Sequence, residues 1–190
     1  MFDKLARVTT PANLGAPVEA APPLRHPDAP APGTELNLHY DGCFTCGHPT
    51  NGMRVFVTVG DGLAVTGRFI VDDSHSGSPG IAHGGLLAAA FDELMGGLNT
   101  LIRATTVTSG LQVSYLRPVP VGTEVHISAT IDACVGSRYF ISGEGRLGSS
   151  DGPLALRAHA VFVKVDLDHF GRYGASEKLA QFKPHLRDGA

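Results

Sequence analysis

The sequence predicts an α+β domain in which an antiparallel sheet of about six strands packs against one long helix. From about residue 35 onward, most runs alternate apolar and polar side chains, which is typical of strands in a sheet with one covered face. The Gly- and Pro-containing connections between these runs are short, and short connections favour antiparallel neighbours. Residues 85–102 instead repeat their apolar side chains every three or four positions, which indicates an amphipathic helix.

The six predicted strands cover residues 53–59, 63–71, 105–116, 121–133, 138–147 and 154–165. The cluster Gly60-Asp61-Gly62 separates the first two strands and is of the kind that closes a hairpin. In the fourth strand, apolar side chains from Val125 to Ala133 alternate with polar ones. This strand therefore has one apolar face and one polar face.

The predicted helix is roughly 27 Å long at 1.5 Å per residue, which is long enough to span a curved sheet. Its apolar stripe consists of Leu87, Phe91, Leu94, Met95, Leu98, Leu101 and Ile102. Gly96 and Gly97 lie inside it, and each costs about 1 kcal/mol relative to alanine. Either the helix ends at these glycines or another element packs closely against its backbone, and we favour close packing.

The N-terminal segment differs in composition from the rest of the chain. Seven of the 13 prolines lie before residue 33, in an alanine-rich run that excludes a regular helix or a central strand. We therefore divide the chain into a Pro/Ala-rich extension (1–38), a globular domain (39–167) and a tail (168–190) in which residues 177–182 could form a short helix. The extension is either a flexible or surface-hugging segment or an arm that wraps a partner subunit.

Composition and charge exclude several classes of protein. The chain of 190 residues is 43% hydrophobic and has a formal net charge of −3, so it lacks the basic surface that nucleic-acid binding requires. The sequence contains neither an apolar leader with a cleavage site nor a run of about 18 apolar residues, so we expect neither secretion nor a membrane span. Three cysteines cannot all pair within one chain, and a reducing cytoplasmic compartment fits them best.

The segment most informative about chemistry is residues 75–85, His-Ser-Gly-Ser-Pro-Gly-Ile-Ala-His-Gly-Gly, directly before the helix. Two glycines at a helix start leave backbone N–H groups unshielded by side chains, and the helix dipole favours negative charge there. Gly84 and Gly85 are therefore candidates for an oxyanion or anion site. A simple glycine turn entering a helix is the alternative.

Asp92, on the predicted helix, is the candidate general base or nucleophile. A solvated surface charge is the alternative, and the position of Asp92 nine residues after His83 makes us favour the functional role. On a helical wheel it lies roughly 120° from the centre of the apolar stripe, whereas Glu93 lies on the opposite flank. The two carboxylates therefore cannot serve one site together. Asp92 shares its flank with Met95 and Asn99, and these mixed surroundings would partly desolvate its carboxylate, which suits acid–base or nucleophilic chemistry.

Three stretches of the chain carry a resemblance to a known family. They are Cys-Phe-Thr-Cys-Gly at residues 43–47, Gly-Ile-Ala-His-Gly-Gly at residues 80–85 followed by Asp92, and Val-Ser-Tyr-Leu-Arg-Pro-Val-Pro-Val-Gly at residues 113–122. In this order and spacing they resemble the hotdog-fold acyl-CoA thioesterases, in particular the PaaI-like branch. The resemblance covers about residues 40–165. It implies a curved antiparallel sheet wrapped around one central helix, and a second copy that places the active site between subunits.

The resemblance also implies roles for individual residues. Asp92 corresponds to the carboxylate that activates water or attacks the thioester, and Gly84 to the glycine whose N–H polarises the thioester carbonyl. His83 would cap the helix or orient the thioester, with a purely structural cap as the alternative. Thr108 corresponds to a Ser or Thr that acts from the neighbouring subunit in some relatives, with an exposed strand position as the alternative. Where some relatives have an Asn about six residues before the histidine, this chain has Gly77.

Substrate contacts are expected from cations and apolar side chains near these residues. Because coenzyme A carries phosphates, Arg138 is the first candidate to contact it, followed by Arg117 and Arg103; ordinary surface arginines are the alternative for each. The thioester oxygen is expected near Gly84 and Gly85. The side chains that could line an apolar acyl pocket, or alternatively belong to the core, are Leu86, Phe91, Met95 and Tyr115. No cofactor is expected beyond the coenzyme A of the substrate.

Cys43 and Cys46 have the spacing of metal ligands, and His48 follows closely. No second cysteine pair completes a tetrahedral site, since Cys134 lies far away on a strand. A structural turn is therefore favoured over zinc. Redox chemistry is set aside, because the pair leads into a hairpin rather than opening a helix.

The leading hypothesis is hydrolysis of an acyl-CoA or a related thioester. The alternatives are a non-catalytic protein that binds acyl-CoA or an acyl carrier and, more remotely, a dehydratase, because the segment from His75 to Gly80 also resembles the His…Pro-Gly pattern of hotdog dehydratases. A homodimer is expected at the minimum, and a dimer of dimers is plausible. One helix cannot cover both faces of such a sheet, and isolated edge strands favour pairing.

Overall fold

The computed structural model describes residues 14–36, 43–47 and 53–174, in which most of the strands lie on either side of one long helix in the sequence. The strands are β1 (Glu35–Leu36), β2 (Phe56–Val59), β3 (Ala64–Ile70), β4 (Ser76–Ser78), β5 (Ile81–Ala82), β6 (Thr106–Tyr115), β7 (Glu124–Val135), β8 (Arg138–Leu147) and β9 (Leu154–Lys164). The helices are α1 (Gly84–Gly97), α2 (Asn99–Ile102) and α3 (Asp168–Tyr173). Within these residues, seven strands form one antiparallel sheet in the order β1-β2-β3-β7-β8-β9-β6, and β4 pairs with β5.

The α+β class and all six predicted strands are confirmed, with strand ends that differ by up to three residues. β2 begins later than predicted, because Arg54 has a φ of 56°, which a strand cannot contain. β7 also begins later, since Gly122 has a φ of 85° in the preceding turn. The seventh strand, β1, comes from the segment assigned to the extension and pairs Glu35 with Thr58.

The long helix is confirmed, but its predicted continuity to residue 102 is wrong. α1 ends at Gly97, and one further turn, α2, ends at Ile102; the next residue, Arg103, has a left-handed φ of 46°. Close packing is found at Gly97, where an added Cβ would lie 3.1 Å from Val57 Cγ1, whereas nothing lies within 4 Å of one at Gly96. The glycine pair therefore marks both a helix end and a close approach of β2.

The core lies between α1 and one face of the sheet. The predicted apolar stripe is buried from Leu87 to Leu101, and α1 packs against β3, β6, β7 and β8. Gly143 of β8 lies directly beneath the helix, because a Cβ there would be 3.1 Å from Met95 Cε and 3.2 Å from Phe91 Cε1. The absence of a side chain at this position lets the helix lie close to the sheet, which fixes the height of its carboxylates above the strands.

The described part of the predicted extension, residues 14–36, lies against the domain of its own chain. The backbone N–H of His26 donates to the carbonyl of Leu101 at 2.8 Å, and the N–H of Cys134 donates to the carbonyl of Ala21 at 2.9 Å. These bonds fit the surface-hugging interpretation for these residues. The predicted helix at residues 177–182 lies outside the described residues. None of the helices in the described part of the chain is both long and apolar enough to cross a membrane.

Candidate active site

The loop before α1 is fixed by a capped turn and a short hairpin. Asp72 caps the turn Asp73–His75, accepting from the Ser74 N–H at 2.8 Å, while the buried His75 accepts the Asp72 N–H through Nδ1 at 3.1 Å. Hydrogen bonds from Ser74 hold the pKa of the Asp72 carboxyl below its ordinary value, so the cap persists at neutral pH and is lost only in acid. The His75 carbonyl then accepts the N–H of His83 at 2.8 Å. The loop thereby sets the position of the helix start.

Gly77 lies where the backbone of His83 passes closest to β4. A Cβ at this position would be 2.7 Å from His83 Cα, a separation that real Cβ atoms do not show. No side chain therefore fits at Gly77 without moving His83. This accounts physically for the glycine at a position where some relatives of the resembled family have an asparagine.

His83 is the N-cap residue of α1. Its Nδ1 accepts the N–H of Gly85 at 3.0 Å, so the predicted cap is present and the Gly85 amide is engaged within the chain. Among the described residues, no acceptor is found for the N–H of Gly84. Of the two glycines predicted to bind the thioester oxygen, Gly84 therefore remains the candidate donor, and Gly85 serves the cap instead.

Tyr115, at the end of β6, lies over the helix start. Its hydroxyl donates to the Gly84 carbonyl at 2.8 Å, and a Cβ added to Gly84 would be 3.3 Å from the Tyr115 Cζ. Beside this contact is an open pocket of about 240 Å³, lined by Ile81, Ala82, Gly84, Leu87, Tyr115, Leu116, Arg117, Pro118 and Val119. Gly84 therefore lines a largely apolar pocket.

Only part of the predicted acyl pocket is found there. Phe91 and Met95 are fully buried in the core, so the structure supports their alternative interpretation. Leu86 is half-buried and packs against that core. The pocket walls that sequence reasoning missed are Ile81 and Val119, which come together because β5 pairs with the segment after β6 through a bridge between Ile81 and Pro120.

Asp92 extends from α1 toward β6. The hydroxyl of Thr108 donates to Asp92 Oδ1 at 2.7 Å within the same chain, and both side chains are exposed. The pairing of β6 with β9 is irregular between Thr108 and Gly110. The partial desolvation expected for Asp92 is therefore not found in a single protomer, because Asp92 is exposed. Glu93 lies on the other flank, as predicted, and accepts a hydrogen bond from Thr45.

The two halves of the predicted site lie apart within one protomer. The eight residues from Gly84 to Asp92 advance the helix by about 12 Å. Tyr115 contacts the Gly84 end, whereas Thr108 contacts the Asp92 end. One thioester carbonyl cannot contact the amide and the carboxylate of the same chain.

The three candidate arginines occupy different positions. Arg117 lines the pocket beside Gly84, where its guanidinium donates to the carbonyl of Leu154. Arg138 pairs with Val163, which pairs with Val107, so Arg138 lies two strands from β6 at the Asp92 end of the sheet. Arg103 ends α2. The pocket beside Gly84 therefore includes Arg117 but neither Arg138 nor Arg103.

An antiparallel sheet packed on one central helix, with a capped glycine pair at the helix start, defines a hotdog-fold protein. Residues 79–149, which contain both Gly84 and Asp92, match the family model described as the thioesterase superfamily. The resemblance drawn from the sequence is thereby confirmed: residues 79–149 are similar to the thioesterase superfamily, and the fold is that of the hotdog thioesterases.

Two curated relatives and two solved structures indicate where the similarity lies. The chain is 27% identical over 92 residues to acyl-coenzyme A thioesterase THEM4 of Rattus norvegicus (48% of this chain, 39% of that protein) and 30% identical over 90 residues to that of Bos taurus (47% and 36%). It thus spans about two fifths of the length of these relatives.

The fold resembles E. coli PaaI, from the phenylacetic acid degradation operon, with a TM-score of 0.55, 14% identity and coverage of 60% of this chain and 81% of that one. An acyl-CoA hydrolase from Staphylococcus aureus, solved in complex with butyryl coenzyme A, aligns with a TM-score of 0.53 at 20% identity, over 56% of this chain and 68% of that one. At these identities the likeness concerns the fold.

Proposed function

We propose that the protein hydrolyses an acyl-CoA, or a related acyl thioester, to the free acid and coenzyme A. The observation that carries this proposal concerns Gly84: its N–H has no acceptor among the described residues, and the residue lines a largely apolar pocket. The superfamily match over residues 79–149 and the names of the relatives, which are acyl-coenzyme A thioesterases, support this function. The structural neighbour solved with butyryl coenzyme A supports the substrate class.

In the proposed reaction the thioester oxygen accepts a hydrogen bond from Gly84 at the positive end of the α1 dipole, where developing negative charge is stabilised. Asp92 either removes a proton from the attacking water or attacks the carbonyl carbon to form an anhydride that water then hydrolyses. In both routes the C–S bond breaks, coenzyme A leaves as a thiolate and takes up a proton, and the acid is released. Every group involved belongs to the protein or to water, so the proposal requires no cofactor beyond the coenzyme A of the substrate.

The proposed site needs two protomers. Because Gly84 and Asp92 of one chain are about 12 Å apart along the helix, a carbonyl bound at Gly84 would meet Asp92 of a second copy. β6, which carries Thr108 and Tyr115, is the last strand on its side of the sheet among the described strands, so its outer edge is available for another chain. This supports a homodimer, or a dimer of dimers, as the active unit. Arg117, beside the pocket, is our candidate for contact with a coenzyme A phosphate.

The experiment that tests the function follows thiol release from acyl-CoAs with short, long and aromatic acyl groups. We expect thiol release from at least one of them to be faster with the protein than without it. Thermal shifts are measured on the same panel. Stabilisation without thiol release would indicate a binding protein instead. With an enoyl-CoA added to the panel, a change in enoyl absorbance without free thiol would indicate a dehydratase.

The two-protomer site predicts the oligomeric state. Sedimentation of the full chain at micromolar concentration is expected to give a dimer or tetramer. Specific activity is expected to fall on dilution below the dissociation constant, because dissociation separates the two halves of each site. A monomer that retains full specific activity would contradict the shared site while leaving thioester hydrolysis itself intact.

A further inference from the structure

Three metal-ligating side chains converge on the flank of α1 opposite Asp92. They are Cys43 and Cys46, from the turn before β2, and Glu93 of the helix. Their ligand atoms, two sulfurs and one carboxylate oxygen, all lie within 4.8 Å of one another. Cys46 is buried, whereas Cys43 and Glu93 are half-buried. The proposed hydrolysis uses none of these groups.

The spacing of these atoms is close to that of a tetrahedral zinc site. Zn–S bonds of about 2.3 Å and Zn–O bonds of about 2.1 Å require S···O separations of about 3.6 Å and S···S separations of about 3.8 Å. Cys43 Sγ already lies 3.5 Å from Glu93 Oε2. The widest separation, 4.8 Å, exceeds the requirement by about 1 Å, which small side-chain rotations can supply.

The surroundings hold the ligands in place. Thr45, which is buried, donates its hydroxyl to Glu93 Oε2 and lies 3.0 Å from Cys43 Sγ. The Gly47 N–H donates to the Cys43 carbonyl at 2.8 Å, and the Val55 N–H donates to the Thr45 carbonyl at 3.2 Å. The turn is therefore fixed both to itself and to the following segment, and the carboxylate has an outer partner of the kind that orients metal ligands.

We propose that Cys43, Cys46 and Glu93 bind one zinc ion, which joins the turn at residues 43–47 to α1. Two thiolates favour zinc over magnesium or calcium, which prefer oxygen ligands. Zinc also accepts a carboxylate oxygen beside sulfur, because it is intermediate between hard and soft metal ions. On binding, each thiol gives up its proton to solvent and forms a Zn–S bond, while the carboxylate forms a Zn–O bond. Three protein ligands leave the fourth tetrahedral position for solvent.

The same geometry disfavours a redox pair. A carboxylate beside Cys43 opposes thiolate formation unless a cation neutralises the charge, and thiol–disulfide exchange has no use for an oxygen ligand. All three cysteines lie in the described part of the chain and carry thiols there. The sequence favoured a structural turn because the spacing of Cys43 and Cys46 indicates only two ligands. The third, Glu93, is far away in the sequence and is brought beside them only by the fold.

Metal content and equilibrium titration with Zn²⁺ test this site in the full, untagged chain after reduction. We expect one zinc per chain and release of about two protons per ion, one from each thiol. Removing a residue that only hydrogen-bonds a metal ligand typically weakens metal affinity about 10–100-fold. Removing a ligand itself should cost more, so we expect Cys43→Ser and Cys46→Ser to weaken zinc affinity by more than about 100-fold, and Glu93→Gln by at least about 10-fold. Cys134→Ser, which removes a thiol of β7, is the matched control and should bind zinc like the wild type.

A second measurement on the wild type keeps the test independent of how the variants fold. Zinc is expected to protect Cys43 and Cys46, but not Cys134, from alkylation mapped by peptide mass. Replacement of zinc by Co²⁺ should give thiolate-to-metal charge-transfer absorption. Absence of zinc binding, equal alkylation of all three thiols with and without zinc, or a Cys43–Cys46 disulfide under reducing conditions would overturn the proposal. None of these readouts depends on thioester hydrolysis.

Discussion

Replacement of Asp92 by asparagine is expected to lower kcat for acyl-CoA hydrolysis by about 10²–10⁴-fold, the typical contribution of a general base. An amide can neither remove a proton from water nor attack the thioester. In the wild type, the Thr108 hydroxyl donates to Asp92 Oδ1 at 2.7 Å. The asparagine amide oxygen can accept the same hydrogen bond, so the local geometry should be retained. Thiol release at saturating substrate measures kcat, and thermal shift with acyl-CoA measures whether binding is retained.

Asp61→Asn is the matched control, because Asp61 is an exposed carboxylate in the turn between β2 and β3. Its kcat is expected to equal that of the wild type. If Asp92→Asn hydrolyses a good substrate as fast as this control, the role assigned to Asp92 is wrong. The helix start at Gly84 would then need a different partner.

Replacement of Phe91 by alanine is expected to reduce the free energy of unfolding by about 3–5 kcal/mol. Phe91 is fully buried, and its ring lies against Gly143, where an added Cβ would be 3.2 Å from Cε1. Truncation leaves a cavity between α1 and β8 that neither backbone can close by itself. Urea denaturation at one fixed protein concentration measures the loss, since oligomers unfold with concentration-dependent midpoints.

Phe56→Ala provides the comparison for this substitution. Phe56 lies on β2 with 50% of its surface exposed, and it contacts the guanidinium groups of Arg54 and Arg68. We expect this substitution to lower the free energy of unfolding by no more than about 1 kcal/mol, because the half-exposed ring buries little apolar surface in the folded protein. Equal destabilisation by the two substitutions would contradict the arrangement of the core around α1.

The regular elements of this domain could be predicted because each has an uninterrupted local pattern. In β7, Val125, Ile127, Ala129, Ile131 and Ala133 are buried as the alternation predicts, and the stripe from Leu87 to Leu101 lies in the core. β1 was missed because two residues are too few for a period to appear. The end of α1 at Gly97 was missed because the apolar stripe continues through Leu98, so the pattern does not register the break.

The sequence could propose candidate site residues but not the contacts that these residues make. Gly84 and Asp92 follow from helix periodicity and glycine chemistry, which are local. The bond from Thr108 to Asp92 joins residues 16 apart, and the bond from Thr45 to Glu93 joins residues 48 apart. Such pairs depend on strand order and on how the helix is rotated against the sheet. For the same reason, the order β8-β9-β6 separates Arg138 from the pocket that Arg117 lines.

The cap at His83 constrains what its imidazole can do. A neutral ring has one protonated nitrogen, and Nδ1 must be the bare one because it accepts the Gly85 amide. The neutral side chain is therefore the Nε2–H tautomer, which can offer a proton in a hydrogen bond but cannot withdraw one from water. In the proposed hydrolysis, abstraction of a proton from water would consequently fall to a carboxylate rather than to this histidine.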